Sequence, residues 1–148
     1  MAELTRKELI LALIGAGVKP RLAGVDLSAI DLHRLDFEGA NMRGARLSAS
    51  NLQEAIMRST NLTGADMQVT QAPFADFNSA NMTMANMSGA NLQGARLTGA
   101  NLTNALLNGA NLLNANLSGA TVAGVKFDEN TTWPDGKRGS ESSPAAYV

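Results

Sequence analysis

Large apolar residues recur at every fifth position from residue 27 to residue 127, in one register. The pattern is plainest from Ala80 to Gly119, which reads ANMTM ANMSG ANLQG ARLTG ANLTN ALLNG ANLLN ANLSG. We call the large residue of each five-residue phrase its centre. Two positions earlier sits a small residue, usually Ala, and between the two lies Asn or Asp, as at Asn41, Asn61, Asp66 and Asn101. The two positions after the centre are polar or Gly, as in Ser88-Gly89 and Thr98-Gly99.

A helix would space its apolar positions by three and four. Steps of five advance about 500° around a helix axis and leave no stripe. In an extended segment, residues two apart share a face. Small residue and centre therefore point inward together, and the polar residue between them points out. The last two residues must turn the chain, and Gly suits a turn that needs positive φ. Strand plus turn, repeated, predicts a solenoid with its centres on the axis.

The predicted core follows from the register. Its leucines are Leu27, Leu32, Leu47, Leu52, Leu62, Leu92, Leu97, Leu102, Leu107, Leu112 and Leu117. Met42, Met57, Met67, Met82 and Met87 take the same place, as do Phe37, Phe77, Phe127 and Val122. Ala72 is the exception. Val25, Ile30, Leu35 and Val125 are bulkier than the usual Ala, and they are expected to close the ends of the core.

These tandem A(N/D)LxG phrases resemble the pentapeptide-repeat family over residues 25–129. The resemblance implies an all-β fold, a right-handed parallel β-helix of square cross-section with four phrases per coil. About five coils at ~4.8 Å each would make a rod roughly 25 Å long.

The flanks differ. Thr5 and Glu8 fit a capping box. Leu9, Ile10, Leu13 and Ile14 then fall at helical spacing, and Gly15, Gly17 and Pro20 end the run. One amphipathic helix over about 6–15 is expected to lid the first coil, with residues 1–20 forming this cap and its connector. Arg6 and Lys7 before LILALI also suggest a signal peptide, but Glu3 and Glu8 sit badly in that scheme. The β-helix is assigned to 21–129, with its regular pattern stopping after Phe127. A C-terminal cap follows over 130–136, with Trp133 as apolar plug, and a disordered tail over 137–148.

With four phrases per coil, outward residues stack every twenty positions. Asp26, Arg46 and Asp66 share one column, Asp36, Ile56, Asp76 and Arg96 another, and Glu38 stacks on Arg58. Such pairs fix register and are worth ~0–1 kcal/mol each. Asn41, Asn61, Asn81 and Asn101 form a polar column expected to hydrogen-bond along the stack. The phrase around Ala72 breaks the pattern: Ala72 should leave a void, Pro73 should interrupt the ladder, and Phe74 occupies a turn position. Either Phe74 folds back to fill the void, the favoured expectation, or Val69, Pro73, Phe74 and Leu113 form an exposed partner patch.

A net charge of −1 creates no strong field toward nucleic acid or an anionic membrane. Without Cys there is no disulfide and no thiol chemistry, and one His cannot form a His pair. Asp26, Asp31 and Asp36 should face three directions, which removes them as an acid–base pair. No catalytic residue, metal site or cofactor site is expected. The reading is a non-enzymatic cytoplasmic scaffold for an unknown protein partner, monomeric or an end-to-end homodimer, binding neither nucleic acid nor membrane. The resemblance offers an alternative, since some family members mimic DNA, bind gyrase and protect it from quinolones or toxins. Those members look like acidic rods dimerised at the C-terminal end. Here Arg43, Arg46, Arg58 and Arg96 break up the negative charge that mimicry needs.

Overall fold

A computed structural model describes residues 4–17 and 19–148. From Arg21 onward the chain winds in square coils. Parallel bridges join residues twenty apart: Arg21 to Asn41, Asn41 to Asn61, and so on in four columns, one per face. We number the faces by their first bridged residue: face one from Arg21, face two from Asp26, face three from Asp31, face four from Asp36.

The phrase around Leu62 shows why five residues suffice. The N–H groups of Leu62 and Gly64 donate to the carbonyls of Asn81 and Thr83 in the next coil, at 2.7 and 2.9 Å. The Asn61 N–H donates back to Ala40 at 2.9 Å. The Ala65 N–H closes a turn onto the Leu62 carbonyl at 2.9 Å. The remaining donor, the Thr63 N–H, goes to the Asn61 side-chain Oδ1 at 3.1 Å. Every backbone donor is thus satisfied within two coils. The third turn residue has positive φ, which gives the type II pattern; it is 64° at Gly64.

This scheme corrects two sequence expectations. The Asn side chains of face one do not bond along the stack. Asn61, Asn81 and Asn101 each accept from a backbone N–H and a Thr hydroxyl of their own phrase, the hydroxyl at 2.7 Å in all three. Bonds along the stack occur on face three, from Asn51 to Asp31 and from Asn91 to Gln71. Nor does Pro73 interrupt the ladder. The donor it lacks belongs to the local Asn/Asp bond, whereas Ala72 and Phe74 keep their ladder bonds to Asn91 and Gln93 at 2.8 and 2.9 Å. Gln71 replaces the usual Asn or Asp in the one phrase whose following N–H is missing.

The centres from Leu27 to Leu117 are buried, whereas Val122 and Phe127 are half-buried in the last turn of the coil. The row of centres extends one phrase beyond the expected 27–127 at each end. Leu22, with Pro20 buried before it, is a centre one phrase earlier. At the far end an extra residue shifts the register, and Thr132 bridges Asn111 at a spacing of twenty-one. Trp133 is therefore a further centre, fully buried. Asp128 bridges the irregularity: its carboxylate accepts the Gly109 N–H at 2.8 Å, where other coils use a carbonyl. This bond holds the Asp128 carboxyl below its ordinary range.

The C-terminal segment is folded, contrary to the disordered tail expected there. Two short 3-10 turns, Gly139–Glu141 and Pro144–Tyr147, fold back over the end. Tyr147 stacks on Trp133 at a centroid distance of 5.9 Å, and Phe127 meets Trp133 edge-on at 5.0 Å. The indole N–H donates to the Gly139 carbonyl at 2.8 Å.

At the other end, helix α1 (Arg6–Ala16) begins with the capping box: the Glu8 N–H donates to Thr5 Oγ1, and Glu8 Oε2 accepts the Thr5 N–H at 2.8 Å. Gly15 lies within the helix and Gly17 caps it. Leu9 is fully buried and Leu13 partly so. The helix is not cleanly amphipathic, because Ile14 is 77% exposed instead of joining the cap. Arg6 fastens α1 to the coil, its guanidinium donating to the carbonyls of Asp31 and His33 at 2.5 and 3.1 Å. Inner coils fill the matching carbonyls with backbone donors: Asn51 and Gln53 accept from Leu32 and Arg34. One guanidinium thus stands in for two N–H groups of a missing coil.

Candidate functional site: an apolar girdle at mid-rod

The irregular phrase resolves toward exposure. Ala72 is fully buried, but Phe74 does not fold back over it. Phe74 sits at the third turn position with φ of 58°, and the turn directs its side chain outward, leaving it 59% exposed. Its ring lies over Gly94 in the next coil, where a β-carbon would fall 2.5 Å from Phe74 Cε1.

Val69 occupies the same turn position one phrase earlier, with φ of 50° and 52% exposure. It leans on Gly89, whose added β-carbon would lie 3.1 Å from Val69 Cγ1. Met84 is the third member, with φ of 57° and 57% exposure. Its large apolar side chain at a turn position was visible in the sequence, but the sequence reading passed over it. Together the three ring the middle of the rod, at three of its four corners. Positive φ costs a non-Gly residue roughly 1–2 kcal/mol, and a β-branched residue there is an outlier. Three large apolar side chains therefore stand in water on strained backbone.

Pro73 lies beside Phe74 and is half-buried. Leu113 does not join this patch. It lies two coils further along, and its Cδ1 is 3.8 Å from where a β-carbon would sit on Gly136, so it packs toward the C-terminal segment.

The charged columns pair across coils. Arg46 lies 3.5 Å from Asp26, Arg58 lies 3.0 Å from Glu38, and Asp76 has Arg58 and Arg96 at 3.8 and 3.7 Å. A pair the sequence reading missed joins Arg34 to Glu54 at 3.0 Å. The Arg34 contact holds the Glu54 carboxyl below its ordinary range. Asp26, Asp31 and Asp36 lie on three different faces. His33 Nδ1 is 2.7 Å from Asp31 Oδ1, and this contact lowers the Asp31 pKa. Among the described residues, no three His, Cys, Asp or Glu side chains are placed to hold a metal. No helix among them is long and apolar enough to cross a membrane.

The square coil of five-residue phrases defines the class: the pentapeptide-repeat model matches eight copies within residues 21–58, 30–68, 70–94 and 95–129. The chain belongs to the pentapeptide-repeat family, whose fold is the right-handed quadrilateral β-helix. Among solved structures it is similar to the pentapeptide repeat protein Rfr23 of the cyanobacterium Cyanothece 51142, with 28% identity and a TM-score of 0.77 over 84% of this chain and 99% of that one. HetL of Nostoc sp. strain PCC 7120, involved in heterocyst differentiation regulation, matches at 20% identity and a TM-score of 0.40 over 93% and 100%. QnrB1, a plasmid-mediated fluoroquinolone resistance protein, matches at 16% and 0.44 over 76% and 69%. No curated protein matches the chain. The family match is to a repeat architecture, and no enzyme family is indicated.

Proposed function

We propose that the protein is a non-enzymatic cytoplasmic scaffold whose mid-rod girdle docks a protein partner. One observation carries this reading: Val69 and Phe74 expose large apolar side chains from left-handed backbone. Folding does not require either residue there, since Gly or a small polar residue occupies the same turn position in most phrases. Strain retained at exposed apolar residues fits a binding role. The rod supplies a rigid mount, because each coil is bonded to its neighbours on four sides. The pairing of Arg46, Arg58 and Arg96 with acidic neighbours leaves no dense negative face of the kind duplex mimicry would use.

Affinity capture from the native host's lysate, with Val69→Ser/Phe74→Ser as control, tests the proposal. A partner retained by the native chain and lost by the double variant supports it. A partner bound equally by both would move the interface off the girdle and defeat the reading.

A further inference from the structure

Beside α1 the first coil leaves an open cleft of about 410 Å³ on face four, at the opposite end of the rod from Trp133. Its apolar walls include Ile10, Leu13, Ile14 and Leu35, and Asp36 and Glu38 line it as its charged groups. That size lies within the range of small-molecule sites, which are mostly apolar with a few placed polar groups. Among the described residues, no cationic side chain lines it. Glu38 is engaged by Arg58 at 3.0 Å, and Asp36 makes no ion pair among the described residues. The cleft is therefore apolar with the Asp36 carboxylate at its edge, which accepts the Glu38 N–H at 2.9 Å and lies within the field of Arg58.

The first coil also shows what such an edge binds. On face three the Asp31 and His33 carbonyls have no preceding coil, and the Arg6 guanidinium takes both. The equivalent pair on face four is the Asp36 and Glu38 carbonyls. Among the described residues, no donor reaches either of them. Face four thus presents two backbone acceptors in the arrangement that a guanidinium already satisfies one face away. Here a carboxylate stands beside them and an apolar cleft opens next to them.

We propose that this cleft binds a small organic monocation, with a guanidinium or primary ammonium head on a short apolar stem. The stem lies along Ile10, Leu13 and Leu35, and the head donates to the Asp36 and Glu38 carbonyls while facing the Asp36 carboxylate. Charge-assisted hydrogen bonds give the head its selectivity over a neutral group. The site is separate from the mid-rod girdle, so its fate is independent of the scaffold reading.

The full chain is titrated with n-hexylguanidinium, with n-hexanol and hexanoate as matched neutral and anionic probes, and methyl NMR reads Ile10, Leu13, Ile14 and Leu35. The expected result is saturable shifts at these methyls with the cation, binding about tenfold weaker for the alcohol, and none for hexanoate. Asp36→Asn should weaken the cation about tenfold and leave hexanol unchanged. Ile14→Trp, at an exposed position, should fill the cleft and abolish binding with the melting temperature kept. No saturable shift with the cation overturns the proposal. So does equal affinity for hexanol, or cation binding that both variants leave intact.

Discussion

The ring of Phe74 lies over Gly94, so closely that a β-carbon on residue 94 would fall 2.5 Å from its Cε1. The two residues are one coil apart at the same corner, and the small one leaves room for the large one. Gly94→Ala is expected to destabilise by about 1–2 kcal/mol, from positive φ and from displacement of the ring. In the Phe74→Ala background the same change should cost less, because the ring no longer stands in the way. A double-mutant cycle by denaturant unfolding reads the difference, and a coupling of zero would show that the ring does not rest there.

Phe74 and Val69 also make opposite predictions from those for core residues. Val69→Gly should raise stability by about 1 kcal/mol, since it relieves a β-branched residue at φ of 50°. Phe74→Ala should leave the melting curve within about 1 kcal/mol of the native one, because the ring is not in the core. Loss of well over that amount would restore the fold-back arrangement.

The void expected beside Ala72 can be tested directly. In the first coil Leu32 and Phe37 sit at successive centres, both fully buried, so one coil accommodates Leu next to Phe. Ala72 and Phe77 occupy the matching centres two coils on. Ala72→Leu is expected to stabilise by about 1–3 kcal/mol through added apolar burial. A lower unfolding midpoint would show that the space is already filled.

Trp133 joins the solenoid to the C-terminal segment. It packs against Phe127 and Tyr147 and donates to Gly139. Trp133→Ala should cost about 3–5 kcal/mol. Amide exchange should show the loss first in the last coil and the two 3-10 turns, and uniform loss along the rod would contradict this role.

The same segment carries a pH-sensitive contact. Hydrogen bonds from Lys137, then from the Tyr147 hydroxyl, hold the Asp135 carboxyl at about 2, below its usual 3.8. The folded pKa is the lower one, so the contribution of Asp135 is present above pH 3.8 and is lost as pH falls through about 2. Trp133 fluorescence should therefore change over this acid window as Tyr147 loosens. Asp135→Asn should remove that transition, and an unchanged titration in the variant would assign it to another group.

How far the sequence could be read follows from how local each feature is. Every phrase makes the same contacts with the phrases twenty residues away. The inward register of Leu27 through Leu117 and the outward Asn and Asp therefore follow from spacing, and the pairing of Glu38 with Arg58 follows once the family resemblance sets four phrases per coil. The capping box of α1 was legible for the same reason, because its partners are three residues apart.

Features that depend on a partner elsewhere were not legible. Phe74 could have pointed either way, and its direction was decided by a left-handed turn held between two neighbouring coils, with Gly94 making room. Pro73 was harmless because the Asn/Asp bond, not the ladder, uses its position. Trp133 re-entered the register only because Asp128 absorbed one extra residue by bonding Gly109. The tail ordered because Tyr147 found an aromatic face on Trp133. The sequence by itself determined the repeat, its inward side and a solenoid winding, since each is set by a local phrase acting alike at every turn, and the square cross-section came from the family resemblance. Tertiary structure decided which irregular residues are exposed and how the two ends close, since those choices rest on contacts between residues the repeat does not relate.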